Sequence, residues 1–229
     1  MNSSLKILTF SYDDGVSQDV RLAELFNKYG MKATFNINSG FFGKPGELLR
    51  EGVHIRHDKL SIEDARGVYA GHEIASHSLT HPNLTALSEE EIVRQVEGDR
   101  LALSDIFGQD VVGFAYPGGS HDARVADILA RKTGIRYART VTSTHSFDEQ
   151  TNLLEFNPTV YHHVEWDRLF ALGEQFLALT PDKKQVFYVW GHAYEFDIHN
   201  TWDRFEEFLK MMSGREDIAY LTNREALLD

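Results

Sequence analysis

Cysteine is absent from the 229-residue sequence, so disulfide bonds and thiolate metal sites are both excluded. A transition-metal site in this chain must therefore use histidine and carboxylate side chains, and eleven histidines are available as ligands. The sequence also lacks a G-x-G-x-x-G segment after a predicted strand, and it has no G-K-S or G-K-T segment. Because both common phosphate-binding loops are missing, nucleotide chemistry is disfavoured.

Basic residues are fewer than acidic ones. The chain has 23 Lys and Arg against 35 Asp and Glu, for a formal net charge of -12, and the basic residues are scattered along the sequence. This distribution argues against a nucleic acid or an anionic membrane surface as a partner, and it favours a neutral or cationic substrate. The longest apolar runs are far too short to span a bilayer.

The N-terminal segment MNSSLKILTF contains no basic stretch followed by an apolar run of signal-peptide length. We therefore predict a cytoplasmic protein, although a chain trimmed of an export signal would look the same. Length and composition are typical of one globular domain, which we predict over residues 1–229. The sequence leaves the oligomeric state open.

Apolar, β-rich runs alternate with segments of helical periodicity along most of the chain. The clearest helix begins after Ser88, which forms a capping box with Glu91, and ends at Gly108. Strands joined by helices imply parallel neighbours and right-handed crossovers, so we predict an α/β fold, a distorted (β/α) barrel of seven to eight parallel strands. The predicted strands cover residues 5–12, 33–37, 72–76, 111–116, 135–140, 154–162, 186–190 and 218–222.

A histidine pair follows the third predicted strand, at the end where such barrels carry their chemistry. His77 and His81 are four residues apart, and on one helical turn this spacing brings both rings to the same side, as a single divalent cation requires. Pro82 disfavours a continued helix, so we place the pair on a short turn. Taken alone, the pattern H-x-x-x-H is also typical of two surface histidines.

Two adjacent aspartates follow the first predicted strand. In a continuing strand Asp13 and Asp14 would point to opposite faces, but Gly15 allows the chain to turn so that both carboxylates reach the barrel mouth. One aspartate with two histidines forms a three-ligand site with an open position, which is the arrangement of a catalytic zinc. The alternative interpretation is an ordinary Asp-Asp-Gly turn in a loop.

Four segments resemble the successive motifs of the polysaccharide deacetylase family, the NodB-homology domain of carbohydrate esterase family 4. These segments are SYDDG, HSLTH followed by PNL, FAYPGG and WGH, and they occur in the family's order from Tyr12 to His192. The resemblance covers most of the chain and implies a NodB-like barrel with metal-dependent amide hydrolysis, above all N-deacetylation of an amino sugar or oligosaccharide. The implied cofactor is a divalent metal ion, with zinc first and cobalt, manganese or nickel as alternatives.

The resemblance also implies roles for individual residues. Asp13 corresponds to the family's general base and His192 to its general acid. Trp190 stands where the family usually has a leucine that lines the acyl pocket, so a tryptophan would reshape that pocket. The implied metal ligands are Asp14, His77 and His81.

The third motif departs from the family pattern. Ala115 replaces the arginine that orients the base, and we hypothesise that Arg139, at the end of the fifth predicted strand, reaches across to take over this role. In the same motif Tyr116, Pro117 and Gly118 are expected at the substrate, with the backbone N–H of Gly118 as the oxyanion donor.

Other polar residues are assigned less directly. The family's aspartate that partners the acid histidine has no convincing match, and Glu195 and Glu155 are the two candidates. We interpret His57 as a surface residue or as one whose hydrogen bonds are partly satisfied. His162 and His163 are adjacent in a predicted strand, which should direct their rings to opposite faces and prevent joint chelation.

Three functions are open at this stage. The first is metal-dependent N-deacetylation of a carbohydrate. The second is hydrolysis of a small non-sugar amide or ureide, which Trp190 and the missing signal peptide favour. The third is carbohydrate binding without catalysis, after loss of the third-motif arginine. The retained acid, base and ligand residues favour an enzyme, because a pure binder needs no acid and base beside a metal.

Overall fold

The computed structural model describes residues 5–229 and contains one large sheet of eight parallel strands. Residues 1–4 lie outside the described residues. They are part of the N-terminal segment from which a cytoplasmic protein was predicted. In chain order the strands are β1 (Lys6–Asp13), β2 (Thr34–Ile37), β3 (Glu47–Arg50), β4 (Val53–Arg56), β5 (Glu73–Ser76), β6 (Gly113–Ala115), β7 (Tyr137–Arg139), β8 (Val160–Tyr161), β9 (Gln185–His192) and β10 (Ile218–Tyr220). Of these, β3 and β4 form a separate antiparallel hairpin.

The strand order in the sheet is β7-β6-β5-β2-β1-β9-β8, and β10 also pairs with β1. Along one edge β1 pairs with β9 over its whole length, whereas β10 and β2 share the other edge, at residues 6–8 and 11–13 of β1. The outer strands are linked by the segment that follows β7, because Phe156 bridges Arg139 and β8 pairs with β9. The predicted α/β class and distorted, NodB-like barrel are confirmed.

The strand predicted over residues 154–162 is wrong in its extent. Leu153–Glu155 form a 3-10 turn, Phe156 makes a single bridge, and only Val160–Tyr161 pair as a strand. Pro158 has no N–H to donate to a sheet ladder, which accounts for an interruption at this point.

The helices are α1 (Asp19–Lys28), α2 (Ile62–Val68), α3 (Glu89–Phe107), α4 (Ala123–Lys132), α5 (Trp166–Ala178), α6 (Glu195–Ile198), α7 (Trp202–Met212) and α8 (Asn223–Leu228). As predicted, the Ser88 side chain caps α3, and Gly108 ends it with φ 64°. The predicted capping box is incomplete, because the Glu91 carboxylate instead accepts hydrogen bonds from Arg94. Thr222, placed in the last predicted strand, instead caps α8 in a capping box with Glu225. Within residues 5–229, no helix is both long and apolar enough to cross a membrane.

The two faces of β1 have opposite character, as the two-residue period of a strand requires. Phe10 packs against Phe26 at 4.8 Å between ring centroids, in the apolar core beneath α1 and α7. On the alternate face Ser11 and Asp13 are buried polar residues, and Ser11 accepts a hydrogen bond from the Asn36 amide at 2.8 Å. A polar barrel interior therefore leads to Asp13 at the end of the strand.

In chain order the β3–β4 hairpin comes between β2 and α2, and it was not predicted from the sequence. Its turn residues, Glu51 and Gly52, have φ of 51° and 80°, the left-handed values that a two-residue hairpin loop needs. The Glu51 carboxylate contacts Nε2 of His163 at 2.8 Å and Nε2 of His199 at 2.7 Å. These contacts tie the hairpin tip to the segments that follow β8 and α6.

Candidate active site

A cavity of about 630 Å³ opens at the C-terminal ends of the strands, and both adjacent aspartates line it. Asp13 is the last residue of β1, after which Asp14 and Gly15 take φ of 85° and 66°. A Cβ on Gly15 would lie 3.0 Å from Cγ2 of Ile37, so glycine suits the left-handed conformation of this turn and avoids a shift of the Ile37 side chain. Both carboxylates therefore face one cavity, as the sequence predicted.

Asp14, His77 and His81 offer ligand atoms that all lie within 4.8 Å of one another. Nδ1 of the buried His77 ring contacts the backbone oxygen of Ala115 at 2.8 Å, and an N–H there leaves Nε2 as the free electron pair. Burial lowers the pKa of His77 to about 4, so the ring is neutral, as a metal ligand must be. One carboxylate and two imidazoles beside an open cavity fit a divalent transition metal.

The histidine pair converges without the helical turn that its spacing suggested. Residues 77–83 form an irregular loop in which Ser78 and His81 have φ of 66° and 54°. The Asn38 amide holds this loop by donating to the backbone oxygens of His77 and Ser78, at 2.6 and 2.8 Å. Asp14 and His81 thus both have left-handed backbones, a strain that folded proteins concentrate at functional sites.

Two further residues contact Asp14, and the sequence analysis missed both. Nε2 of His57 lies 3.2 Å from Oδ2 of Asp14, and the Lys59 ammonium donates to the backbone oxygen of Asp14 at 2.7 Å. Burial raises the pKa of Asp14, but His57 and Lys59, together with the charges of His192 and His77, outweigh burial and hold the pKa well below its usual range. Of the two interpretations of His57, the structure supports the partly satisfied residue and not the surface one, because its side chain is only 16% exposed, contacts Asp14 and lines the cavity.

Arg139 lies against Asp13, where the sequence analysis had hypothesised it. Its Nη2 is 2.6 Å from Oδ1 and 2.5 Å from Oδ2 of Asp13, and Asn36 donates to Oδ1 at 2.8 Å. Burial raises the pKa of Asp13, but the charge and hydrogen bonds of Arg139 have the opposite effect. The net result is a pKa of Asp13 below its ordinary value. Ala115 and Arg139 are register partners in β6 and β7, so the arginine stands one strand away from the motif position.

Trp190 covers this ion pair. The guanidinium of Arg139 lies 4.3 Å from the Trp190 ring centroid, and the Tyr161 ring stacks on the same indole at 4.4 Å. Trp190 is 5% exposed and lines the cavity. The indole therefore forms an apolar wall beside Asp13.

Of the two carboxylates that could partner His192, the structure pairs it with Glu195. Nδ1 of His192 is 3.0 Å from Oε1 of Glu195, and the His192 backbone N–H donates to Oε2 at 2.9 Å. Burial lowers the pKa of His192, but the Glu195 charge outweighs it and raises the pKa to about 9. Glu155 instead lies 4.0 Å from His121.

The third-motif segment forms another part of the cavity lining. Tyr116 and Gly118 line the cavity, whereas Pro117 is buried and is not among the lining residues of the described chain. The segment is a 3-10 turn in which Gly118 has φ 57°. The backbone N–H of Gly118 lies in the first turn of this 3-10 segment, where backbone N–H groups have no acceptor within the helix.

The prediction that His162 and His163 cannot chelate together is wrong. The strand ends at Tyr161, and the following residues turn, so the side-chain alternation of a strand no longer applies. Ligand atoms of the two histidines and Glu195 lie within 4.8 Å of one another.

Comparison with known proteins identifies the family of this chain. A family model described as polysaccharide deacetylase matches residues 2–138. The chain belongs to the polysaccharide deacetylase family. The peptidoglycan-N-acetylglucosamine deacetylase PgdA of Listeria monocytogenes is 28% identical over 125 residues, which cover 53% of this chain and 23% of that relative. The chain thus spans less than a quarter of this relative's length.

Solved structures show the same fold. The family 4 carbohydrate esterase of Streptomyces lividans, in complex with acetate, has a TM-score of 0.58 at 16% identity and covers 95% of this chain and 92% of its own. A family 4 pseudoenzyme of Bacillus anthracis has a TM-score of 0.57 at 18% identity, covering 97% of this chain and 65% of its own. Because the polysaccharide deacetylase fold occurs in esterases and in a pseudoenzyme, function must be argued from the site.

Proposed function

We propose that this protein is a metal-dependent hydrolase that removes the acyl group from an N-acylated amino sugar or oligosaccharide. The observation that carries the proposal is the position of one carboxylate oxygen. Oδ2 of Asp13 lies 3.9 Å from Nε2 of His77 and 3.9 Å from Nε2 of His192. A base thus stands between a ligand cluster and an acid, within one cavity, which is the constellation that amide hydrolysis needs.

In this proposal Asp14, His77 and His81 hold a divalent cation. When bound, the cation supplies Lewis-acid polarisation of the amide carbonyl. The ligand residues are suited to this task because His77 is neutral and Asp14 is ionised at neutral pH. His57 and Lys59 hold Asp14 in place from the side of the hairpin segment.

Asp13 acts as the general base. The carboxylate is ionised at neutral pH and takes one proton from the attacking water as the new bond from water oxygen to carbonyl carbon forms. Arg139 and Asn36 both donate to this carboxylate, which fixes its orientation. The backbone N–H of Gly118 is the proposed donor to the oxyanion.

His192 acts as the general acid. Glu195 accepts from Nδ1, so a protonated ring directs its Nε2–H toward Asp13 and the cavity. As the carbon–nitrogen bond breaks, Nε2 gives its proton to the leaving amine. The products are a carboxylate and a free amine, and Trp190 forms the apolar wall for the acyl methyl group.

The test is an assay of acetate release from N-acetylchitooligosaccharides by the protein loaded with Zn²⁺ or Co²⁺. We expect release that stops when a chelator removes the metal and returns when the metal is restored. Turnover of a small ureide without acetate release would favour the second function considered above. Sugar binding with no turnover of any amide would favour the non-catalytic alternative.

A further inference from the structure

The cavity has a basic wall although the chain has a net charge of -12. One segment, residues 44–59, contains the β3–β4 hairpin and contributes Lys44, Arg50 and Lys59 to the lining. The carboxylates among the lining residues are Asp13 and Asp14. The local charge is therefore opposite in sign to that of the whole molecule, and a cleft of one sign concentrates ligands of the other.

The two lining carboxylates already have cationic partners. Arg139 pairs with Asp13, and the Lys59 ammonium lies 3.6 Å from Oδ1 of Asp14. By contrast, within residues 5–229 neither Lys44 nor Arg50 has a carboxylate at ion-pair distance. Lys44 lies over the Phe41 ring at 4.9 Å, and the pKa of Arg50 is raised above its ordinary value chiefly by the charge of Tyr194.

Both cations line the cavity that contains the reacting groups. The Lys59 backbone N–H donates to the backbone oxygen of Lys44 at 2.9 Å, which places Lys44 next to the residue that contacts Asp14. Arg50 and Tyr194 both line the cavity, and the Tyr194 ring centroid is 5.0 Å from that of the proposed acid, His192. A substrate group beside the scissile amide would therefore lie in the same cavity as both cations.

We infer that Lys44 and Arg50 bind an anionic group of the substrate, so that the preferred substrate is an N-acylated amino sugar that carries a carboxylate or a phosphate. The inference rests on the proposed function for the identity of the reacting amide. It replaces the neutral or cationic substrate that the net charge favoured. A guanidinium offers paired N–H donors that match two oxygens of such a group, and an ammonium adds a point charge.

The experiment compares three sugars that share one amide and differ in charge. The metal-loaded protein is titrated calorimetrically with N-acetylglucosamine, N-acetylglucosamine 6-phosphate and N-acetylmuramic acid, at low and at high salt. We expect at least one anionic sugar to bind about tenfold more tightly than the neutral one at low salt, and this preference to shrink at high salt. Binding of the carboxylate sugar alone assigns a carboxylate, and binding of the phosphate sugar alone assigns a phosphate.

Matched variants locate the effect. The double variant Lys44→Gln/Arg50→Gln should lose the preference for the anionic sugar. Arg56→Gln makes the same type of change on the same hairpin, at an exposed side chain that pairs with Asp58, and should keep the preference. Acetate, which has no sugar to reach the wall, should bind the double variant and the wild type equally.

Equal affinities for charged and neutral sugars would overturn the inference, as would a preference that survives in the double variant or a failure of both anionic sugars to bind. A parallel loss of acetate affinity in the double variant would also overturn it, because the wall would then act on any anion at the metal. Tight binding of an anionic sugar without acetate release would refute the proposed hydrolase and leave the anion site standing.

Discussion

Asp13 and His192 are register partners, since each is the last residue of its strand and β1 and β9 pair along their whole length. Oδ2 of Asp13 lies 3.9 Å from Nε2 of His192. The sheet itself therefore sets the separation of the proposed base and acid. If their roles are as proposed, changes at either residue should affect the chemical step while leaving the metal ligands intact.

Replacement of the proposed base separates chemistry from metal binding. Asp13→Asn keeps the size of the side chain and removes its ability to take a proton, so we expect kcat to fall by about two orders of magnitude or more while the metal content is unchanged. Elemental analysis of the purified variant and acetate release check the two parts. Asp14→Ala is the comparison, and it should lose the metal. An Asp14→Ala protein with full metal content would contradict the ligand assignment.

Removal of Arg139 tests the hypothesis that it orients Asp13. We expect Arg139→Ala to lower kcat by about tenfold or more, because Asp13 loses its charged partner in a buried site. A kcat within twofold of wild type would end this hypothesis. Thermal unfolding of the variant and its metal content show whether the site is still assembled.

A second substitution, at Ala115, tests whether a guanidinium is the group that Asp13 requires. Ala115 is the register partner of Arg139, so Ala115→Arg in the Arg139→Ala background should restore part of kcat. Ala115→Leu in the same background adds bulk without charge and should restore none. Equal recovery with leucine would indicate a packing effect.

The pairing of His192 with Glu195 predicts a change in pH dependence. Glu195 raises the pKa of His192 to about 9 against an ordinary value of 6.5, so an activity that needs the protonated ring should fall as pH rises through the raised pKa. Glu195→Gln removes the charge, so the alkaline limb of kcat/KM should move to lower pH. A bound cation lowers the His192 pKa in both proteins, so the difference between their profiles is the measurement. Identical alkaline limbs would contradict the assignment.

Gly15 should be costly to replace. Gly15→Ala combines a left-handed φ with a Cβ at 3.0 Å from Ile37, whereas Gly30→Ala has the same φ of 66° and no atom within 4 Å of its Cβ. We expect Gly30→Ala to lower the free energy of unfolding by about 1 kcal/mol and Gly15→Ala by more than that, and only Gly15→Ala to weaken metal binding. Urea unfolding and metal titration check both parts. Equal losses of stability would show that crowding against Ile37 does not contribute.

The parts of the fold that the sequence predicted are those governed by local patterns. Period-two alternation and the Gly15 turn indicated where β1 ends and that both aspartates reach one cavity. The Ser88 cap and Gly108 located α3. The strand over 154–162 failed because β propensity alone cannot show that a segment crosses between two sheet edges, with Pro158 interrupting it.

The missed site residues are those brought in by tertiary structure. His57 and Lys59 lie more than 40 positions from Asp14, and only the β3–β4 hairpin carries them to it. The signal that could have found the hairpin is Gly52 between two runs of β character, since glycine takes the left-handed backbone of a two-residue turn without strain. The signal is weak because Glu51, unlike Asn or Asp, is not typical of the first turn position. Glu195 could have been preferred to Glu155, because it lies three residues from His192 and can cap the turn that follows β9.

The register of Ala115 with Arg139 has a consequence for comparing sequences across the family. In this chain the guanidinium that contacts Asp13 comes from β7, one strand away from the motif position in β6. A single column of aligned residues therefore does not track the group that contacts this carboxylate. Relatives with alanine at the motif position should be sorted by what stands at the end of the next strand. A chain with small residues at both positions would have lost the contact, whereas a chain with arginine at both would crowd two like charges around one aspartate.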